Sequence, residues 1–169
     1  MKKQSKIFKI FVLVLLYLGM QSCVTYSFTG APITAKSISI DYFPNKASLI
    51  NSALSQDFTD AMRDKFVNQT KLELLEQNAE LEIEGEIVDY HTTAVAIQGN
   101  ETAALNRLTI SVNVRYTNTL NDEESFEQKF TGFEDYDASR NFSDVESELV
   151  STILERMVQD IFNKALVNW

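Results

Sequence analysis

Apolar and polar residues alternate most regularly over residues 107–119. Leu108, Ile110, Val112, Val114 and Tyr116 fall on one parity, and Thr109, Ser111, Asn113, Arg115 and Thr117 on the other. A period of two marks a strand with one covered face and one wet face. Residues 79–90 repeat the pattern, with Leu81, Ile83 and Ile87 inward and Glu82, Glu84 and Glu86 outward. A shorter alternation, Ser37-Ile38-Ser39-Ile40-Asp41-Tyr42-Phe43, is stopped by Pro44-Asn45, as proline ends a ladder. Residues 125–136 make a further strand whose large apolar members are Phe126, Phe130, Phe133 and Tyr136. It follows the polar turn Asn121-Asp122-Glu123-Glu124 and pairs with the preceding strand through a short hairpin. Two stretches carry helical spacing instead. In residues 51–68 the apolar side chains are Leu54, Phe58, Ala61, Met62, Phe66 and Val67, with Asp57, Asp60, Arg63 and Asp64 on the solvated side. The last helix begins at Ser143-Asp144-Val145-Glu146, which fits a capping box, and runs to about Val167. Its apolar residues come in pairs from Leu149 and Val150 to Ala165 and Leu166. So wide a stripe covers the sheet and a neighbour, either the first helix, which is the natural choice, or a partner protein.

The elements define an α+β two-layer sandwich: a four-stranded mixed sheet with two helices on one face, in the order β-α-β-β-β-α. Between the second and third strands, residues 92–106 are small and nearly uncharged, with a turn signal at Gly99-Asn100. So long a connection is either extended strand or a contact element, and Ile97, Gln98, Gly99, Asn100 and Glu101 at its tip are the candidate partner-binding residues. The wet sheet face, lined by Glu82, Glu84, Glu86, Thr109, Ser111 and Asn113, is a second surface for a partner, and the sheet edges offer strand addition.

The chain's start changes the picture more than its composition does. Lys2, Lys3 and Lys6 precede the apolar run from Ile10 to Leu18, and Gly19-Met20-Gln21-Ser22-Cys23 follows. The run is too short to span a bilayer, which needs about 20 apolar residues, and reads as a signal peptide over residues 1–22. Cys23 is the single cysteine of the 169-residue chain. It can form no internal disulfide, and a lone thiol in an exported protein calls for another role. The segment resembles a bacterial lipobox, with Met20 and Gln21 departing from its usual residues, and so identifies Cys23 as the lipidation site. Residues 23–36 form a lipidated tether and residues 37–169 one domain. Loss of the leader lowers the basic count from 15 to 11 against 24 acidic residues, a net charge of −13. Such a surface disfavours nucleic acid, whose affinity comes from Lys and Arg displacing counterions.

Little in the chain suggests catalysis. His91 is the sole histidine, so the usual zinc sets are missing, and it reads as an exposed or hydrogen-bonded strand residue. Glu82, Glu84 and Glu86 lie along a strand, whereas a calcium site gathers 6–8 oxygens from a loop. Glu134, Asp135 and Asp137 have no complementary acid or base and read as solvated turn chemistry. The expectation is a non-enzymatic protein with no metal and no cofactor beyond a covalent lipid.

Cys23, the β-α-β-β-β-α order and several stretches together resemble the LptE family of lipopolysaccharide-assembly lipoproteins, most closely its Bacteroidetes-type members. The stretches are Val95 to Ile110, Ser37 to Pro44, Leu54-Ser55-Gln56-Asp57-Phe58 and the ending from Asp160 to Trp169. The resemblance covers nearly all of the mature chain. It implies an outer-membrane lipoprotein on the periplasmic side that plugs an LptD-type β-barrel, helps assemble it and delivers lipopolysaccharide to the outer leaflet. Val24-Thr25-Tyr26-Ser27 has neither the acidic cluster that resembles a surface-export signal nor the Asp associated with inner-membrane retention. Some relatives touch lipopolysaccharide phosphates through basic residues; Arg107, Arg115 and Lys129 are the strand-borne basic groups to consider here. The alternative is a free-standing periplasmic lipid or small-ligand binder, for which a cavity of several hundred cubic ångströms is expected.

Overall fold

A computed structural model of the protein describes residues 33–49, 51–95 and 104–167. Strand β1 (Ser37–Ile40) leads through a loop to helix α1 (Leu54–Gln69), then β2 (Glu73–Leu74), β3 (Leu81–Val95), β4 (Leu105–Asn118), a 3-10 turn at Asp122–Glu124, β5 (Phe126–Asp137) and helix α2 (Phe142–Leu166). The sheet order is β2-β1-β3-β4-β5. β1 runs parallel to both neighbours, while β3, β4 and β5 form an antiparallel meander. The sheet is mixed, as expected, but has five strands rather than four. The extra strand, β2, has only two residues, too short to show any period, and forms because α1 returns the chain alongside β1.

One core lies between the sheet and both helices. Ile38, Ile40, Leu81, Ile83, Ile87, Leu108, Ile110, Val112, Val114 and Tyr116 supply the sheet side, all buried. On α1 the buried residues Leu54, Phe58, Met62 and Phe66 recur every four positions, and Thr59 joins them. The Thr59 hydroxyl donates to the Ser55 carbonyl (2.7 Å) and accepts from the Phe43 amide (3.1 Å), which fastens the β1–α1 loop to the helix. Asn51 Oδ1 accepts from the amides of Ala53 (2.9 Å) and Leu54 (3.1 Å), two donors left free by helix geometry. The Thr70 hydroxyl ends the helix by donating to the Phe66 carbonyl.

On α2 the paired apolar residues from Leu149 to Leu166 are buried. They meet β5 on one side and α1 on the other, where Phe66 and Phe162 pack edge to face at 5.1 Å, so the neighbour of the wide stripe is α1. The capping box expected at Ser143 and Glu146 does not form. The helix starts earlier, with Asn141 at its N-cap and no side-chain cap bond. Glu146 Oε1 instead accepts from the buried Tyr90 hydroxyl (2.5 Å) and from Asn51 Nδ2 (2.8 Å). Satisfying a buried phenol outweighs capping an amide that water can reach. Burial and the Glu146 carboxylate together push the Tyr90 phenol well above its ordinary range.

Both ends of the long connection between β3 and β4 are extended strand, since pairing continues to Val95 opposite Leu105. A bulge between Ile87 and Asp89 turns Tyr90 back toward the core. Gly85 sits where a Cβ would collide with the Asn113 carbonyl and lie 2.6 Å from Phe43. Gly132 leaves room for α2, because a Cβ there would be 2.7 Å from Ile153 and 3.2 Å from Met157.

Candidate partner-binding face

No described element covers the face of the sheet away from the helices. Its rows follow from the register: Glu84, Arg115 and Glu127; Glu86, Asn113 and Lys129; Asp89, Ser111 and Thr131; His91, Thr109 and Phe133; Thr93, Arg107 and Asp135. Glu82, Glu84 and Glu86 thus share the solvated face, as their alternation requires.

Arg115 lies between two carboxylates, donating to Glu84 (2.8 Å) and Glu127 (3.0 Å) on either side. Arg107 makes a two-pronged bond to Asp135, with Nε and Nη2 at 2.6 and 2.9 Å from its oxygens. Its guanidinium also lies 3.9 Å from the centre of the Phe133 ring, a cation–π contact. Hydrogen bonding to Arg107 holds the Asp135 carboxyl below its ordinary range. Lys129 is exposed, and no carboxylate among the described residues pairs with it. The three basic residues singled out from the sequence therefore share one face, and the two arginines already hold carboxylates. Asp135→Asn should destabilise the domain at neutral pH. A depressed folded pKa stabilises the fold above the ordinary carboxylate value and loses that contribution as pH falls through the folded value. Urea unfolding of the two proteins should therefore converge as pH falls below the depressed Asp135 value.

Phe133 is 48% exposed and lies on this open face rather than with Phe126, Phe130 and Tyr136. Parity alone identifies it, since 133 is odd and the other three are even. The acidic group at the end of β5 is engaged at every member. Asp135 holds Arg107, Glu134 pairs with Arg156, and Asp137 Oδ1 accepts from the Ser139 amide at 2.8 Å. Hydrogen bonding from the Ser139 side chain, and then from its amide, keeps the Asp137 carboxyl low as well. His91 Nδ1 lies 2.8 Å from Asp89 Oδ1, both partly exposed.

A shallow cleft of about 300 Å³ crosses the open face, lined in part by Asp41, Tyr42, Glu84, Glu86 and Arg115. A second, of about 510 Å³, runs between the helices and is lined by Asn51, Asp57, Ser143, Glu146, Ser147 and Leu154 among others. Both are surface clefts with mixed polar walls. Among the described residues no three His, Cys, Asp or Glu side chains gather as a metal would require. No helix there is long and apolar enough to cross a membrane. Cys23 and the hairpin tip Ile97, Gln98, Gly99, Asn100 and Glu101 lie outside the described residues.

No curated protein sequence matches the chain. Among solved structures it is similar to a hypothetical protein of Chlamydia trachomatis, with 11% identity and a TM-score of 0.52 over 78% of this chain and 98% of that one. It is also similar to a minor lipoprotein of Acinetobacter baumannii, with 13% identity and a TM-score of 0.48 over 73% and 91% of the two chains. At such identities the first likeness speaks to the fold alone. The family model described as LptE, lipopolysaccharide-assembly, matches residues 35–165, which takes in every strand and nearly all of α2. This chain belongs to the LptE family of lipopolysaccharide-assembly proteins.

Proposed function

We propose that the chain is the lipid-anchored plug and assembly subunit of an LptD-type β-barrel translocon, acting at the periplasmic side of the outer membrane to pass lipopolysaccharide to the outer leaflet. The observation that carries this reading is the family match over residues 35–165. The geometry supports it. The interior of a large outer-membrane barrel is polar, and a body seated there needs a polar exterior over a self-contained core. This domain buries its apolar residues between sheet and helices and turns a charged, uncovered sheet outward. Its work is binding and assembly, without catalysis, metal or cofactor, and Cys23 carries the covalent lipid. The hairpin tip at residues 97–101 is a further barrel contact.

Lipopolysaccharide contact, if made on the open face, falls first to Lys129, whose ammonium is free to meet a phosphate. Arg107 and Arg115 would each have to exchange a carboxylate of this chain for one on the lipid. A free-standing ligand binder is less well supported, because the clefts described are open and of mixed polarity rather than apolar and enclosed.

The test is co-purification. The full-length lipoprotein, tagged and solubilised in detergent from outer membranes, should bring down a large β-barrel protein identifiable by mass spectrometry. Its consistent absence would overturn the plug reading.

A further inference from the structure

The alternation of β1 breaks just beyond the strand. Ile38 and Ile40 face the core, and an unbroken period of two would send Tyr42 after them. Phe43 is buried instead, packed where Gly85 leaves room, and Tyr42 is 53% exposed. The segment still runs alongside β3, because the Asp41 amide donates to the Ile83 carbonyl (2.9 Å) and the Ile87 amide to the Pro44 carbonyl (3.0 Å). Tyr42 therefore stands beside β3 and lines the open-face cleft of about 300 Å³ together with Glu86 and Asn113.

Glu86 and Asn113 lie directly opposite each other on β3 and β4. Both are half-buried, and neither side chain has a hydrogen-bond partner among the described residues. The rows on either side differ. In one, Arg115 holds Glu84 and Glu127; in the other, the Ser111 and Thr131 hydroxyls bond at 2.9 Å. The cleft thus brings an exposed aromatic ring to a carboxylate and an amide whose bonding capacity the fold leaves open.

We propose that Tyr42, Glu86 and Asn113 form a binding site for one uncharged sugar ring. A pyranose has an apolar face of C–H bonds and a rim of hydroxyls. The C–H face packs on the Tyr42 ring, whose body is apolar. A hydroxyl donates to the Glu86 carboxylate, a charge-assisted bond, and the Asn113 side chain donates to one ligand oxygen and accepts from another hydroxyl. Neighbouring strands lie about 4.8 Å apart, so Glu86 and Asn113 reach adjacent hydroxyls of the same ring. Charge selects an uncharged ligand. Asp41, Glu84 and Glu86 line the cleft, and its one arginine, Arg115, is already held by carboxylates. A phosphate or a uronate would face those carboxylates, whereas hydroxyls donate to them. Lys129 lies beyond Asn113 on β5, outside the cleft lining. Such a ring belongs either to a free saccharide or to the carbohydrate of lipopolysaccharide, and the second source rests on the function proposed above.

The experiment is a ligand-observed NMR titration of the full-length lipoprotein in detergent micelles. The probes are the methyl glycosides of glucose, galactose and mannose, and the oligosaccharide released from lipopolysaccharide by mild acid. Saturable binding of a probe is expected, weakened about tenfold or more by Tyr42→Ala and by Glu86→Ala, and unchanged by Lys129→Ala. Circular dichroism checks the fold of each variant. Glu86→Gln replaces Glu86→Ala if that protein does not fold, with a loss of about threefold or more, since a neutral amide accepts more weakly than a carboxylate. Tenfold tighter binding of the oligosaccharide than of any glycoside supports the site with lipopolysaccharide as the source; equal or weaker binding supports it with a free saccharide. Binding that the Tyr42 and Glu86 variants leave intact overturns the assignment, as does binding lost only in Lys129→Ala, which would mark an anionic ligand, or no binding of any probe. Barrel co-purification by the wild type is read separately. Its absence overturns the plug reading, and sugar binding in the same protein leaves the site standing.

Discussion

Phe58→Ala should lower the thermal unfolding midpoint of the unlipidated domain by roughly 10–20 °C, because truncating a buried phenylalanine costs about 3–5 kcal/mol in a domain of this size. Phe58 is wholly buried at the centre of the α1 stripe, and its ring meets Phe43 edge to face at 4.9 Å. Phe43 in turn stands where Gly85 gives up a side chain. The void would therefore open where loop, helix and sheet meet, with the Phe43 amide fixed to Thr59 and little freedom to collapse inward. Val67→Ala on the exposed side of the same helix should change stability by no more than about 0.5 kcal/mol. Circular dichroism melts of the two variants side by side check the contrast. Equal shifts would mean that α1 is not bound to the sheet through the Phe58 stripe.

That stripe was legible because every helical period repeats the same choice, and the same holds for β4, where five consecutive inward positions are apolar. Legibility fails where one residue answers to two partners. Glu146 has the right spacing from Ser143 for a capping box, yet the hydroxyl of Tyr90, 56 positions away in sequence, takes its carboxylate. Nothing local announces a contact of that range. Strand β2 fails for another reason: two residues cannot alternate, and its pairing with β1 exists only because a helix brings the chain back. Phe133 was readable in principle, since counting parity along β5 separates it from Phe126, Phe130 and Tyr136. Its apolar character pulled it toward the core in a reading by composition; the Arg107 guanidinium over its ring shows how an exposed aromatic finds a partner on a wet face.

The candidate surface was readable in outline and not in its pairing. Alternation places Glu84, Arg115 and Glu127 on the open side, but which strands lie adjacent is a property of the sheet order. Only the register reveals that Arg115 is shared between two carboxylates while Lys129, one row away, has none among the described residues. The Arg156 contact to the Phe133 carbonyl lies further still from the sequence, since it depends on a side chain from α2 crossing to a backbone oxygen of β5.

Cys23→Ala should produce the largest change in the cell, measured as the loss of the protein from the outer-membrane fraction with its fold unaltered. A single acyl chain gives only marginal and reversible membrane binding, whereas two or more hold a protein firmly. If Cys23 is acylated as proposed, the lipid would supply most of the membrane affinity of a chain whose described helices are not long and apolar enough to cross a bilayer. The described domain begins ten residues beyond Cys23 at Ile33, a tether that reaches at most about 35 Å when fully extended. Cys23 lies outside the described core, so removing the thiol leaves every described core contact in place. Fractionation with sucrose-gradient separation of the two membranes reads the location, and circular dichroism of the purified variant reads the fold. The alternative outcome is equally informative. A Cys23→Ala protein still recovered with the outer membrane would mean that protein contacts hold it there.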